Sequence, residues 1–277
     1  MEDLPVWDLY AIRYATRDAQ RRNHFMGGDP HEGAMPMDYF VWVAVCGDRV
    51  VVIDIGFNAE VAAQRSRTWL RCPIDTLKNL GVDPARVGDV VITHLHYDHA
   101  GNFGLLPAAR FHLQEAEMQF ATGPYMRYSR LSHSFEVEDV CAVVRLNFAQ
   151  RVQFHRGDGE VAPGIQLHEA GGHSAGLQFV RVHTRRGWVV LASDVSHFYE
   201  NLLRLHPFPT AFHVGRMLEG FDKLCAVAPG NDHIVPGHDP LVMRLYPAPS
   251  PELEGIAVRL DVAPQPFPPG TFPHSSH

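Results

Sequence analysis

The chain has 277 residues, 45% of them hydrophobic, and a formal net charge of −7 at pH 7, as expected for a globular protein long enough to form a substantial core. The acidic balance argues against the basic surface that nucleic-acid binding requires, and only Lys78 and Lys223 are lysines. No apolar run approaches the length of a membrane span, so we expect no membrane partner.

The ends and the cysteines indicate a cytoplasmic protein. Residues 1–8 are acidic and lack the apolar stretch of a signal peptide. The four cysteines are scattered without a Cys-x-x-Cys pair, which favours reduced thiols. We expect one domain over residues 1–277 with a proline-rich tail over 247–277, and we exclude the closing His274 and His277 from any metal site. Homodimer formation stays an open option.

A strand and a long loop precede the central part of the chain. Residues 8–14 predict the strand. Residues 15–37 contain several glycines and prolines and show no periodicity, which predicts a lid or binding loop. His24, Phe25 and Met26 lie in the middle of this loop and are candidates to line a substrate entrance, with ordinary surface contacts as the alternative.

The next segment predicts a β-hairpin that is buried on both faces. Residues 39–46 and 50–55 are apolar and flank a Gly-Asp turn. Asp54 closes the second strand, where a buried carboxylate needs hydrogen-bond partners. Asp38 and Tyr39 begin the hairpin and are placed to reach a site from the side of the loop.

A helix is predicted over residues 59–80, with a break near Pro73 and a stop at Gly81. The short apolar run 90–92 reads as a buried strand, and a polar loop follows it directly. A loop at the end of a rigid strand is a frequent place for a functional site.

That loop carries three histidines and an aspartate within six residues, His94, His96, Asp98 and His99. Imidazole and carboxylate are the ligands of zinc and related divalent metals. His94 and His96 point the same way in an extended segment, whereas Asp98 and His99 follow after a turn and can face a second position. The simplest interpretation is two adjacent metal ions.

The second half repeats the outline of the first. Apolar segments predict strands at residues 152–154, 165–169, 177–183, 188–192 and 234–235. A helix with apolar residues at helical spacing is predicted between the last two strands, at residues 213–226. His173, Asp194 and His238 each follow one of these strands beside small residues that allow a close approach to a metal. Two β-sheets packed face to face with helices outside fit this repetition, although the alternation also permits a doubly wound parallel sheet.

The His-x-His-x-Asp-His pattern after a hydrophobic strand resembles the signature of the metallo-β-lactamase superfamily, and within it the N-acyl homoserine lactonase-like branch. Three further stretches carry the resemblance: residues 37–40, the Gly-Gly-His-Ser-Ala-Gly loop and residues 237–243. It covers roughly residues 40–246 and implies an α+β fold, the αββα sandwich of two mixed sheets with helices outside.

The resemblance also implies the roles of the site residues. His94, His96 and His173 would hold one metal, Asp98, His99 and His238 the other, and Asp194 would bridge them. Zinc suits this nitrogen-rich set, with iron, manganese or cobalt as alternatives. Asp54 would support the metal loop by hydrogen bonding, and His133 and Phe135 become candidates for the wall of the cleft.

A dinuclear centre predicts hydrolysis by a hydroxide that forms between the metals and attacks a carbonyl carbon, with Asp98 or Asp194 passing a proton to the leaving group. The resemblance implies a lactone substrate and a quorum-quenching role, with an N-acyl homoserine lactone as one option. One departure concerns His197, which stands where the lactonases carry a substrate-contacting tyrosine. Its imidazole can donate the same hydrogen bond or act as a catalytic acid, with a packing role as the alternative, and Tyr199 is the nearby substitute. The alternatives are a catabolic lactonase for an aromatic or other small lactone, or a thioesterase or phosphodiesterase of the same fold.

Overall fold

The computed structural model describes residues 4–31 and 33–268, so the terminal histidines lie outside the described residues. Within this part of the chain, the strands are β1 (Asp8–Arg17), β2 (Met37–Cys46), β3 (Arg49–Ile53), β4 (Thr68–Trp69), β5 (Asp89–Val91), β6 (Arg110–Gln114), β7 (Val152–His155), β8 (Gly159–Ala162), β9 (Ile165–Glu169), β10 (Gln178–Thr184), β11 (Gly187–Ser193), β12 (Ile234–Pro236) and β13 (Ala257–Arg259). No helix in it is both long and apolar enough to cross a bilayer.

Short 3₁₀ turns and α-helices connect these strands. The helices are α1 (Ala59–Gln64), α2 (Pro73–Thr76), α3 (Glu115–Ala121), α4 (Ser129–Ser132), α5 (Val137–Phe148), α6 (Tyr199–Leu203), α7 (Val214–Val227) and α8 (Leu241–Leu245). Helix α7 buries Met217, Phe221 and Leu224 on one face, which is the helical spacing that the sequence shows.

The strands form two mixed sheets. The larger has the order β13-β1-β2-β3-β5-β6-β7, with β4 paired to β1, and the smaller has the order β12-β11-β10-β9-β8. Pairs from β3 to β7 are parallel, as is β11 with β12, and the other pairs are antiparallel. The predicted αββα sandwich is confirmed, and the doubly wound alternative is wrong because two separate sheets form.

Strand β2 shows how the sequence builds three layers. Tyr39, Val41 and Val43 belong to the core between the large sheet and its helices. Phe40 and Trp42 alternate with them and belong to the core between the two sheets. Successive side chains of a strand point to opposite faces, so an apolar residue at every position buries both faces of the hairpin. A third core lies between the small sheet and α7.

Three sequence predictions about elements need correction. The helix expected over 59–80 stops at Gln64, because the chain then forms β4 and pairs with Ala15 and Thr16 of β1, and it resumes at Pro73 with α2 and a 3₁₀ turn that ends before Gly81. The loop expected over 15–37 begins only after β1 ends at Arg17. The proline-rich tail contains β13, which pairs with β1 and so belongs to the large sheet.

Candidate metal centre

Loops that leave four strands bring the predicted ligands together at one edge of the sandwich. Strand β5 leads into the loop of His94, His96, Asp98 and His99, while β9, β11 and β12 lead to His173, Asp194 and His238. All seven side chains are buried. Residues far apart in sequence therefore meet because strand ends on the same side of two packed sheets are neighbours.

Four of these residues form a first ligand group. The Nε2 atom of His173 lies 3.2 Å from Nε2 of His94 and 2.8 Å from Nδ1 of His96. It also lies 3.1 Å from Oδ2 of Asp194. The donor atoms of these residues are within 4.8 Å of one another, so one small cation can contact all of them.

A second ligand group lies beside the first. The Nε2 atoms of His99 and His238 are each 3.7 Å from Oδ2 of Asp98. They lie 3.4 Å and 2.9 Å from Oδ1 of Asp194. Asp194 thus turns Oδ2 toward the first group and Oδ1 toward the second, which is the geometry of a shared carboxylate.

The residues fit a pair of divalent cations. Three buried atoms at the centre, Nε2 of His99, Oδ1 of Asp194 and Nε2 of His238, have no hydrogen-bond partner. A buried polar atom without a partner is costly, and a native structure rarely contains several at one point unless an ion satisfies them. The nitrogen and carboxylate donors match zinc and its neighbours.

The other ring nitrogens fix the histidines in the ligand form. Nδ1 of His173 donates to the Thr210 carbonyl at 2.7 Å, and Nδ1 of His238 donates to the Asp38 carbonyl at 2.9 Å. Nδ1 of His99 donates to Oδ2 of Asp54 at 2.7 Å. Each bond places the proton on Nδ1 and leaves the Nε2 lone pair facing the centre.

Asp54 lies at the end of β3 with a positive φ of 60° and is fully buried. Its Oδ1 accepts from the backbone N–H of Thr93 at 2.7 Å, and its Oδ2 accepts from the Thr93 hydroxyl at 2.8 Å. Together with the bond from His99, these contacts tie β3 to the loop that carries the ligands. A residue held in the left-handed region is strained, and three hydrogen bonds compensate for that strain.

Glu117 was missed by the sequence reasoning. It lies in α3, fully buried, and its two oxygens accept from the backbone N–H groups of Leu95 and Gly176 at 2.9 Å each. It thereby joins the loop after β5 to the loop after β9. The only signal in the sequence is a glutamate on the buried face of a short helix, which is weak because glutamates are common in helices.

Burial and neighbouring charges set the protonation of the centre. Burial, reinforced by the other histidines, holds the pKa of His94 and of His96 well below the usual range, so both are neutral and can act as ligands. Burial opposes ionisation of Asp194, but His238, His197 and His99 outweigh it and hold its pKa well below the usual range. Asp194 is therefore an ionised carboxylate at neutral pH.

A cleft opens over the ligand groups. Of the residues proposed from sequence for substrate contact, Tyr39, His133 and His197 line it. Phe135 lies beneath it, with its ring 4.7 Å from the ring of His96. Asp38 is buried and its carboxylate faces Arg13 instead.

Three expected cleft residues are elsewhere. Of the three candidates in the loop after β1, His24 lines the cleft, whereas Phe25 and Met26 are not among the lining residues. Phe25 is fully buried against His206, because its apolar ring turns into the protein. The prediction is also wrong for Tyr199, which opens α6 and belongs to the core between the sheets.

His197 has a more specific position than the sequence indicated. Its Nε2 donates to Oδ2 of Asp194 at 2.9 Å, and its ring stacks on Phe208 with 3.4 Å between centroids. Burial lowers the pKa of His197 to about 3, so the imidazole is neutral. The ring nitrogen that faces Asp194 is thus a hydrogen-bond donor, and the other nitrogen is an acceptor.

An αββα sandwich with histidine and aspartate ligands on the strand exits defines a class of metal-binding folds. The chain belongs to the metallo-β-lactamase superfamily, whose family model matches residues 36–238. This range contains every predicted ligand.

Proteins named N-acyl homoserine lactonase are similar to this chain over part of their length. One from Bacillus sp is 32% identical over 136 residues, which is 49% of this chain and 49% of that protein. The lactonase AttM of Rhizobium johnstonii is 47% identical over 130 residues, 42% of this chain and 49% of that protein. The chain thus spans about half the length of the curated relatives it matches.

Solved structures of lactonases show the same fold. A quorum-quenching N-acyl homoserine lactone lactonase has a TM-score of 0.72 at 23% identity, covering 86% of this chain and 95% of that one. A lactone hydrolase with N-hexanoyl-L-homoserine at its catalytic metal centre has a TM-score of 0.73 at 21% identity, covering 87% and 96%. The dizinc lactonase AidC has a TM-score of 0.67 at 14% identity, covering 86% and 89%.

Proposed function

We propose that this protein is a dinuclear metal-dependent hydrolase that opens the ring of a lactone. The observation that carries the proposal is the pair of ligand groups that share Asp194 beneath an open cleft. The partial similarity to proteins named N-acyl homoserine lactonase directs the choice of a cyclic ester among the carbonyl compounds that such a centre can hydrolyse.

His94, His96 and His173 would hold one ion and Asp98, His99 and His238 the other, with Asp194 shared. When bound there, two divalent ions such as zinc would supply a Lewis acid for the carbonyl oxygen and would lower the pKa of water to about 7. This reaction therefore requires no nucleophilic side chain from the protein.

Side chains of the protein then transfer the proton and bind the substrate. Asp98 is at the edge of the centre and lines the cleft, so its carboxylate is placed to take the proton that the attacking water releases and to pass it to the alkoxide oxygen of the opened ester. The Tyr39 hydroxyl lies 3.3 Å from that of Tyr97, and both residues line the cleft, where the hydroxyl that accepts this bond can donate to a ring substituent.

His197 acts as a positioning residue in this proposal. Because its Nε2 already donates to Asp194, it orients the shared carboxylate and leaves only its other nitrogen for the substrate. The stacked Phe208 fixes the plane of the ring. The lactonase tyrosine that His197 replaces would contact the substrate directly, so we expect a different substrate preference here.

A cytoplasmic location and a single domain over residues 1–277 complete the proposal. Its support is that all four cysteines, Cys46, Cys72, Cys141 and Cys225, are unpaired. In addition, β1 and β13 pair within one sheet although they lie near opposite ends of the chain.

Proton release by zinc-loaded protein tests the function. The panel contains N-acyl homoserine lactones of short and long chain, simple γ- and δ-lactones and an aromatic fused lactone, with a phosphodiester and a thioester for comparison. We expect lactone turnover that a chelator abolishes and zinc restores. Asp98→Asn should reduce it at least ~100-fold, the usual contribution of a proton-transfer group, while Asp48→Asn in the exposed β2–β3 turn should not.

Two results would contradict the proposal. One is turnover of the phosphodiester or the thioester that exceeds turnover of every lactone. The other is lactone turnover that persists at full rate in metal-free protein.

A further inference from the structure

The wall of the cleft carries an unusual amount of positive charge. Three arginines, Arg17, Arg65 and Arg67, line it, in a chain whose net charge is negative. Among the described residues that line it, the only carboxylates are Asp98 and Asp194, and both face the ligand groups. Once cations occupy those groups, no carboxylate of the described lining remains to pair with a guanidinium group.

Arg65 already has an anionic partner. Its Nε donates to Glu136 at 2.7 Å and one Nη donates to the His133 carbonyl at 2.8 Å. Its guanidinium also lies 4.0 Å from the centre of the Tyr97 ring. Arg65 is therefore committed to holding the cleft wall together.

Arg67 uses only part of its guanidinium group for hydrogen bonds within the protein. Its Nε donates to the Tyr97 hydroxyl at 3.0 Å and one Nη donates to the Arg65 carbonyl at 2.6 Å. Both partners are uncharged, and no carboxylate of the described residues forms an ion pair with this half-buried guanidinium group. These two bonds fix the orientation of the planar group while leaving its other Nη for a ligand.

Arg17 is uncommitted. It lies at the end of β1, half-buried, and its side chain makes no hydrogen bond or ion pair within the described residues. Its charge and that of Arg67 both act on Tyr39, which lines the cleft beside His238. Two guanidinium groups without carboxylate partners thus border the same small space.

We propose that the substrate of this site is a lactone that carries a carboxylate, which binds between Arg17 and Arg67. The inference rests on the proposed lactonase function and names its substrate class. A carboxylate accepts two parallel N–H bonds from a guanidinium, and such charge-assisted bonds are the strongest that the cleft offers.

The size of the cleft favours a compact substrate. Its volume is ≈110 Å³, below the ~300 Å³ at which pockets for drug-sized ligands begin. A five- or six-membered ring with one short anionic substituent fits this space, while a long apolar chain has to extend outside. A carboxylate is favoured over a phosphate because its planar group, with two oxygens, occupies less of this small space.

The test compares matched lactones. The probes are 5-oxotetrahydrofuran-2-carboxylate, its neutral carboxamide, and a γ-butyrolactone with a phosphomonoester substituent. We expect kcat/KM for the carboxylate to exceed that for the carboxamide at least ~10-fold, mostly through KM. Arg17→Gln should lose ~10–100-fold on the carboxylate alone, the range for a hydrogen bond to a charged group. Arg22→Gln, an exposed arginine outside this cleft, is the matched control.

Calorimetry provides a readout that does not depend on turnover. Zinc-loaded wild-type protein should bind 2-hydroxyglutarate, the ring-opened dicarboxylate, at least ~10-fold more tightly than Arg17→Gln does. Equal binding by the two proteins overturns the inference, and so does equal turnover of carboxylate and carboxamide or a preference for the phosphomonoester. Absence of all lactone turnover defeats the proposed function instead, and calorimetry then decides the carboxylate site by itself.

Discussion

Asp54→Asn should remove one metal ion and leave the other. In the native protein the Asp54 carboxylate accepts three short hydrogen bonds, two from Thr93 and one from Nδ1 of His99. An asparagine that keeps its oxygen toward the Thr93 N–H turns its NH₂ group toward His99. Nδ1 of His99 must then accept a hydrogen bond, so its proton moves to Nε2, the atom that faces Asp98 and Asp194.

The magnitude follows from which atoms change. A protonated Nε2 cannot donate a lone pair, so the second ligand group loses one of its nitrogens, while His94, His96 and His173 keep theirs. Loss of such an outer hydrogen-bond partner typically lowers metal affinity ~10–100-fold, which corresponds to about 1.4–2.7 kcal/mol. At a free zinc concentration about tenfold above the wild-type dissociation constant of the second ligand group, the bound zinc should fall from about two ions per chain toward one.

Elemental analysis after dialysis against buffered zinc measures this stoichiometry. The matched control is Asp89→Asn, because Asp89 makes a similar bond to His112 at 3.0 Å outside the centre. The control should retain the wild-type zinc content. If Asp54→Asn also retains two tightly bound ions, the reasoning about the His99 tautomer is refuted.

Three further predictions concern stability. Glu117→Gln leaves one of the N–H groups of Leu95 and Gly176 without its acceptor. It should therefore lower the free energy of unfolding, measured by urea titration, by about 1–3 kcal/mol. An unchanged midpoint of unfolding would contradict the bridging role of Glu117. Gly176→Ala should lower Tm, measured by calorimetry, because a Cβ there overlaps the backbone nitrogen of Glu117; a loss of under about 1 kcal/mol would show that the loop gives way easily.

Asp139 provides the prediction on pH, since burial, together with Glu136, raises its pKa to about 7. The folded state then binds more protons than the unfolded state between about pH 4 and 7, so this group's contribution to stability is present at low pH and is lost as pH rises through 7. Asp139→Asn should raise unfolding free energy at pH 8 by about 1–3 kcal/mol and little at pH 4; equal effects at both pH values would refute the shift.

Local patterns in the sequence were sufficient to predict most of the strands. Residues 39–46 and 50–53 are apolar at every position, which requires burial of both faces, and the structure places cores on both sides of β2. The pattern failed for β4, because its two residues pair with β1 only when the chain returns past it. It also failed for β13 in the proline-rich tail, where pairing with a distant strand decides the conformation.

The candidate site likewise contains residues that the sequence predicted correctly and residues that it did not. The ligand residues stand out in the sequence because His-x-His-x-Asp-His is dense in metal-binding groups, and the structure brings all seven together. Tyr199 and Phe25 were misplaced because an aromatic residue near a site is equally suited to the core, and sequence distance does not show which way it points. Glu117 escaped notice because its partners are backbone groups of two distant loops.

The sequence alone determined the ligand chemistry of this protein, the strands that carry it and the superfamily resemblance, since these depend on residue type and short spacing. Only the tertiary structure decided that Asp194 faces both ligand groups, that His197 is bonded to Asp194, and that Arg17 and Arg67 border the cleft without carboxylate partners. The physical reason is that hydrogen bonds and charge pairing act over a few ångströms in space, and the fold joins groups as distant along the chain as His238 and Asp38, which are 200 residues apart.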